Sequence, residues 1–270
     1  MDMRTFVVSD IHGDSKNFHK LLKDVSFDAN VDRLYVNGDV LDRGKRSLRL
    51  LYEIKQMAEE HPGHVLLTMG NHELFCLQYI RRELSDFAWR AFGSTDTVEE
   101  VNRLNPSETE DLAEYIQSLP LYLTIDGAKE GKDGQLIMTH SGFQAEYIVR
   151  EPDGSINVIK TIESSASSDL FKHLVSNDIH YIPTADRKAF DRTVLVGHVP
   201  VMRLHYDGSY KIRRDRNLIS IDSGAGSCHC TRLRSGQSIT GDEIRLLRHE
   251  AIFCGLLLLI VQQDESFIGT

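Results

Sequence analysis

Seven polar residues, Asp10, His12, Asp39, Asn71, His72, His140 and His198, each stand a few positions beyond a short apolar run. They amount to four imidazoles, two carboxylates and one amide. Mixed nitrogen and oxygen donors of this kind suit Mn²⁺, Fe or Zn²⁺. They are too many for one ion. Two ions about 3.5–4 Å apart, with one carboxylate bridging, would use them, which is an arrangement suited to hydrolysis.

Such residues must be brought together by the elements that carry them. Thr5-Phe6-Val7-Val8 leads into Ser9-Asp10-Ile11-His12-Gly13, and Arg33-Leu34-Tyr35-Val36 leads into Asn37-Gly38-Asp39. His64 to Met69 leads into Gly70-Asn71-His72-Glu73, Gln135 to Met138 into Thr139-His140, and Thr193 to Val196 into Gly197-His198. Apolar runs of this length bounded by glycine read as strands buried on both faces. Between the first of them, Phe18, Leu21, Leu22 and Val25 share one helical face, and Leu48, Leu51, Ile54 and Met57 share another. Strands alternating with helices predict an α/β protein with a layered sheet, whose sites lie beyond the carboxyl ends of strands. Leu74 to Leu119 is polar and Glu-rich and reads as a helical insertion, with Pro120 as its boundary. After Val199, short strands with turn signals suggest a second sheet packed on the first. With no repeat or low-complexity linker, residues 1–240 read as one domain with the insertion at 74–119, and residues 241–270 as an extension without an assigned role.

Taken in order, Asp-x-His-Gly, Gly-Asp-x-x-Asp-Arg-Gly, Gly-Asn-His-Glu, a later His and a Gly-His resemble the calcineurin-like metallophosphoesterases. The Asp-Arg-Gly within Gly38–Gly44 and the Glu within Gly70–Glu73 resemble the phosphoprotein phosphatase branch, and the likeness runs from about Arg4 to Gly226. It implies a four-layer αββα fold, a β-sandwich flanked by helices. It implies two divalent metal ions, Mn first and Fe or Zn as alternatives. Asp10, His12 and Asp39 would bind one ion, and Asp39, Asn71, His140 and His198 the other. A water or hydroxide between the ions would attack phosphorus. Arg43 would clamp phosphate oxygens, with Asn71 and His72 also contacting the phosphate. His72 would protonate the leaving oxygen, and Asp42 would orient His72 and keep it protonated. Glu73 fits a supporting or helix-start role. The implied activity is hydrolysis of phosphate monoesters, in particular phosphoserine and phosphothreonine in proteins. Symmetrical diadenosine tetraphosphate hydrolysis is the alternative, and an inactive metal-binding scaffold a second one.

The sequence departs from that pattern in places. Ser9 stands where glycine is usual, and His140-Ser141-Gly142 replaces a common His-Ala-Gly or His-Gly-Gly. A second phosphate-binding arginine is expected between the last two histidines, but Arg150, Arg187 and Arg192 lack a matching context, leaving Lys172 as a substitute. The remaining histidines, His19, His61, His64, His173, His180, His205, His229 and His249, read mostly as surface residues. Cys228-His229-Cys230 cannot easily chelate one ion, because neighbouring side chains on a strand point to opposite faces. Lys211 to Arg216 reads as a solvated hairpin. Trp89, Phe87 and Phe92 read as packing of the insertion, or as a substrate lid.

The chain has 270 residues and a formal net charge of −9, which argues against a nucleic-acid partner. The expected partner is a phosphorylated protein or small phosphate ester. Four scattered cysteines give no disulfide framework, and the N-terminus has no signal-peptide pattern. Ala251–Val261 is shorter than the roughly 20 residues of a membrane span, so it reads as a buried strand or helix. No membrane association is expected, and a cytoplasmic location is.

Overall fold

The computed structural model describes residues 3–128, 131–166, 175–225, 250–253 and 256–261. Its strands are Thr5–Val8 (β1), Arg33–Val36 (β2), Val65–Leu67 (β3), Tyr122–Asp126 (β4), Gln135–Thr139 (β5), Thr193–Val196 (β6), Arg213–Asp215 (β7), Leu218–Ser220 (β8), Glu250–Phe253 (β9) and Leu256–Val261 (β10). They form two sheets, ordered β3-β2-β1-β10-β9 and β4-β5-β6-β8-β7. The first has a parallel core of β1, β2 and β3, connected by Ser15–Asp24 (α1) and Ser47–Glu60 (α2). The second has a parallel core of β5, β6 and β8 with antiparallel β4 and β7 at its edges.

The layers follow from the two-residue period of a strand. Phe6 and Val8 point to one side of β1, where Leu34 and Val36 join Phe18 and Leu21 of α1 and Leu51 and Ile54 of α2. Val7 and Tyr35 point to the other side and meet Leu136, Met138, Leu195 and Ile219 of the second sheet. Ile137, Val194 and Val196 face away again, onto Val158 and Ile162 of Val158–Ala166 (α7). Each central strand is therefore apolar on both faces, and the result is helix, sheet, sheet, helix.

Two features differ from the sequence reading. The second sheet begins at Tyr122, well before Val199, and already contains the strands that lead to His140 and His198. A buried apolar run looks the same in either sheet, so the pattern located those strands without telling the sheets apart. The apolar stretch near the C-terminus forms two strands, and β10 lies antiparallel to β1 with Thr5 opposite Val261. That pairing makes β1 an interior strand. Lys172, His173, Cys228-His229-Cys230, Cys254 and residues 241–249 lie outside the described residues.

The insertion consists of Asn71–Ile80 (α3), Asp86–Arg90 (α4), Thr95–Val101 (α5) and Pro106–Ser118 (α6). It opens on the site residues themselves, since α3 starts at Asn71. Among the described residues, no helix is long and apolar enough to cross a membrane.

Candidate metal centre

Five strand ends deliver the site. β1 carries Asp10 and His12, β2 carries Asp39, β3 runs into Asn71 and His72, β5 ends before His140, and β6 ends before His198. Three come from the first sheet and two from the second, so the cluster sits at one end of the sandwich seam. The backbone is forced there. Among the described residues, eleven non-glycine residues have positive φ, and six are Asp10, His12, Asp39, Asp42, Arg43 and His198. Such conformations cost about 1–3 kcal/mol each and persist where surrounding structure imposes them, commonly at functional sites.

Asp39 joins two groups, buried except for the half-buried His198. His12, Asp39 and His72 offer ligand atoms within 4.8 Å of one another, and so do Asp39, His140 and His198. His12 Nε2 lies 3.6 Å from Asp39 Oδ2, and His140 Nε2 lies 3.3 Å from Asp39 Oδ1. The opposite nitrogens are engaged, His12 Nδ1 with the Leu41 carbonyl at 2.9 Å and His140 Nδ1 with the Asn37 carbonyl at 2.8 Å. Backbone carbonyls thus hold both rings with Nε2 turned inward, which is how ligating histidines are commonly oriented. Asn71 Oδ1 lies 3.2 Å from His140 Nε2 and 2.9 Å from His198 Nδ1. Asp10 accepts the His198 backbone N–H at 3.1 Å and the Ser9 hydroxyl, so Ser9 supports the first aspartate. The Asn37 carbonyl lies 3.1 Å from the same Ser9 Oγ. This buried set of imidazoles, carboxylates and one amide oxygen fits divalent cations.

Glu73 acquires a specific function in building the site. Its carboxylate accepts backbone N–H groups from Asp39 at 2.8 Å, Val40 at 2.9 Å, Leu41 at 3.1 Å and Gly70 at 2.9 Å. One side chain at the start of α3 therefore shapes the loop that presents Asp39 and satisfies a free N–H of its own helix. Gly70 is needed beside it, because a Cβ there would lie 2.8 Å from Glu73 Oε2 and strike Asp39. Glu73→Gln points an amide N–H₂ at some of these donors. Since bonds to a charged acceptor are worth about 1.5–3 kcal/mol each, we expect a loss of roughly 3 kcal/mol. Thermal melting of the metal-free variant should show Tm lower by roughly 6–12 °C.

Beside the cluster, His72 Nδ1 meets Asp42 Oδ2 at 2.7 Å. The same oxygen accepts Trp89 Nε1–H at 2.9 Å, while Asp42 Oδ1 is buried without a hydrogen-bond partner. Trp89 is fully buried, whereas Phe87 is exposed and Phe92 half-exposed against Phe75 of α3. The Trp89 indole N–H does more than pack, since it fixes the carboxylate that faces His72. The exposed Arg43 reaches from the same loop, with its guanidinium 3.5 Å from His72 Nε2.

The electrostatics reflect crowded acids and imidazoles. Burial would lift Asp39, but His140 and then His72 hold it well below the usual carboxylate range. Burial would depress His140, yet Asp39 and Asp10 outweigh it and push the imidazolium up to about 10. His72 is raised too, against burial, by Asp39 and the Asp42 hydrogen bond. Burial and the neighbouring His140 pull His198 down to about 4. A histidine with a raised folded value stabilises the fold fully below its unfolded value near 6.5. That contribution drains as pH rises through about 10 for His140. Chelator-treated protein should therefore lose Tm between pH 7 and 10. Metal-loaded protein should not show this loss, because a ligating histidine is already neutral.

Not every sequence candidate joins the site. Arg150 pairs with Asp186 at 2.7 Å, and the buried Arg187 pairs with Asp215 at 2.6 Å. Arg192 donates to the Asp191 carbonyl at 3.3 Å, so all three are engaged elsewhere. His19 is exposed, but His61, His64, His180 and His205 are half-buried, and none enters the cluster. A further carboxylate, absent from the sequence candidates, faces the site. Asp222 is buried, accepts the Gly224 N–H at 2.6 Å, and after burial itself is the largest cause lifting Asp10. Burial likewise raises Asp222, to about 6. The signal was available, because Leu218 to Ile221 leading into Asp222-Ser223-Gly224 repeats the strand-then-polar format of the other five ends.

Residues 3–220 match the calcineurin-like phosphoesterase family. A protein of Proteus mirabilis (strain HI4320) named "bis(5'-nucleosyl)-tetraphosphatase, symmetrical" is 26% identical over 178 residues, covering 66% of this chain and 58% of that one. A protein of the same name from Baumannia cicadellinicola subsp. Homalodisca coagulata is 26% identical over 181 residues, covering 66% and 55%. The chain thus spans a little over half the length of these curated relatives. Among solved structures, a protein serine/threonine phosphatase from Saccharomyces cerevisiae has a TM-score of 0.58 at 16% identity, over 82% of this chain and 67% of that one. Likeness of that depth shows a shared fold.

Proposed function

The chain belongs to the calcineurin-like phosphoesterase family, and from that premise we propose that it hydrolyses the phosphoanhydride of dinucleotide polyphosphates. The observation that carries the chemistry is Asp39, shared by a group with His12 and His72 and a group with His140 and His198, with Asp42 and Arg43 against His72. What favours a dinucleotide over a phosphoprotein substrate is the name shared by the curated relatives. The phosphoprotein reading draws only on motifs and a fold common to both activities.

In this proposal Asp10, His12, Asp39, Asn71, His140 and His198 hold two divalent cations. Mn²⁺ is the first choice for so mixed a donor set. When bound, the ions supply Lewis acidity and make water a nucleophile near neutral pH. Asp39, common to both ligand groups, would contribute to holding each ion. Arg43 grips phosphoryl oxygens, its planar fork matching a tetrahedral oxyanion. Asn71 and His72 line the same phosphate position. His72 carries its proton toward the leaving oxygen, and Asp42, held by Trp89, keeps the ring oriented and charged.

The test compares kcat/KM for diadenosine tetraphosphate and a phosphoserine peptide on Mn²⁺-reconstituted protein. The tetraphosphate should be preferred, with ADP as the nucleotide product. Preference for the peptide, or release of AMP and ATP, would overturn the substrate assignment.

A further inference from the structure

Phe92 leaves a ring half-exposed at the mouth of the candidate centre. It is 49% exposed, yet it stacks on Phe75 with centroids 4.6 Å apart and planes 20° from parallel. Phe75 in turn sets its ring against His72, with centroids 5.6 Å apart at 67°. A continuous aromatic path therefore runs from the proposed acid to a flat surface facing solvent. The loop carrying Phe92 is tied to the phosphate-gripping residue as well. The Gly93 carbonyl accepts the Arg43 backbone N–H at 2.8 Å. Gly93 has φ of +89°, and a Cβ there would sit 3.2 Å from Arg43 Cγ, so the loop passes Arg43 at close range.

We propose that Phe92, backed by Phe75, is the stacking surface for a nucleobase of the substrate. The proposal rests on the dinucleotide reading above and extends it to the part of the substrate beyond the phosphates. Every nucleobase has a flat π-face, and an exposed aromatic ring binds it with little sequence preference. The position fits, because the ring lies one aromatic residue out from His72, the group proposed to protonate the leaving oxygen. The charge balance makes such a contact useful. A chain with net charge −9 does not attract a polyanion at long range. Stacking supplies affinity that does not depend on sign, and the hydrogen bond from Arg43 to Gly93 holds base surface and phosphate grip at a fixed spacing.

The test measures competitive inhibition by ADP and by inorganic pyrophosphate, which differ by the adenosine. It uses metal-loaded full-length wild type, Phe92→Ala and Phe92→Tyr, alongside wild-type cleavage of diadenosine tetraphosphate. Phe92→Ala should weaken ADP about tenfold, within the range of base–aromatic stacking, and leave pyrophosphate unchanged. Phe92→Tyr should restore ADP. Equal losses for ADP and pyrophosphate, or no loss for ADP, would overturn the stacking site alone if wild type cleaves the tetraphosphate. A wild type that does not cleave it overturns the dinucleotide reading, and this site with it.

Discussion

Asp39→Asn should remove bound metal and turnover together, each by more than about a hundredfold. Outer-sphere substitutions at metal sites already cost about 10–100-fold, and Asp39 faces the ligand atoms of His12, His72, His140 and His198 directly. The asparagine keeps the volume and one oxygen, and that oxygen can still accept the His72 backbone N–H that Asp39 Oδ1 accepts at 3.0 Å. The fold should therefore survive, and the loss will report the charge and the second ligand oxygen. Metal content by elemental analysis, read with turnover of diadenosine tetraphosphate, checks this. Full turnover in a variant without metal would overturn the catalytic reading of the cluster.

His72→Asn separates proton transfer from metal binding. Turnover should fall by on the order of 10²-fold, the lower end for an acid–base group, because a nucleoside diphosphate already leaves readily. Metal content should stay near normal, since Asp10, His12, Asp39, Asn71, His140 and His198 remain. The geometry gives this prediction an edge, because His72 also stands within ligand distance of His12 and Asp39. Loss of metal along with turnover would make His72 a ligand and move the proton-donating role elsewhere.

The sequence revealed most of this site because the chemistry repeats one local format. Each of five buried strands ends in small and polar residues, and the ends of parallel strands converge, so the pattern alone groups Asp10, Asp39, Asn71, His140 and His198. The supporting contacts were harder to read. Glu73 was visible as a residue near a helix start, but its four backbone partners depend on how the loop after β2 folds over α3. Trp89 lies 47 positions from Asp42, and nothing local marks their hydrogen bond. Phe92 and Trp89 look alike as aromatic residues of one insertion, yet one is buried on the acid's partner and the other faces solvent. The sheet to which a strand belongs was equally hidden, because β5 and β1 bury both faces alike. β10 shows the same limit, since an apolar stretch far along the chain gave no sign that it pairs with β1.

The net charge of −9, taken for the whole chain, argued against a nucleic-acid partner. At the site, the carboxylates of Asp10, Asp39, Asp42, Glu73 and Asp222 are buried among four imidazoles, and Arg43 adds a positive charge at the mouth. Two divalent cations would shift that balance toward the positive.

The most direct measurement of the central claim is metal stoichiometry against turnover. Chelator-treated protein is titrated with Mn²⁺ while bound metal per chain and hydrolysis of diadenosine tetraphosphate are followed together. Two ions per chain, with full turnover reached only as the second binds, is the expected result. Full turnover with one ion or none, or no recovery with any divalent cation, would contradict a paired-cation centre built around Asp39.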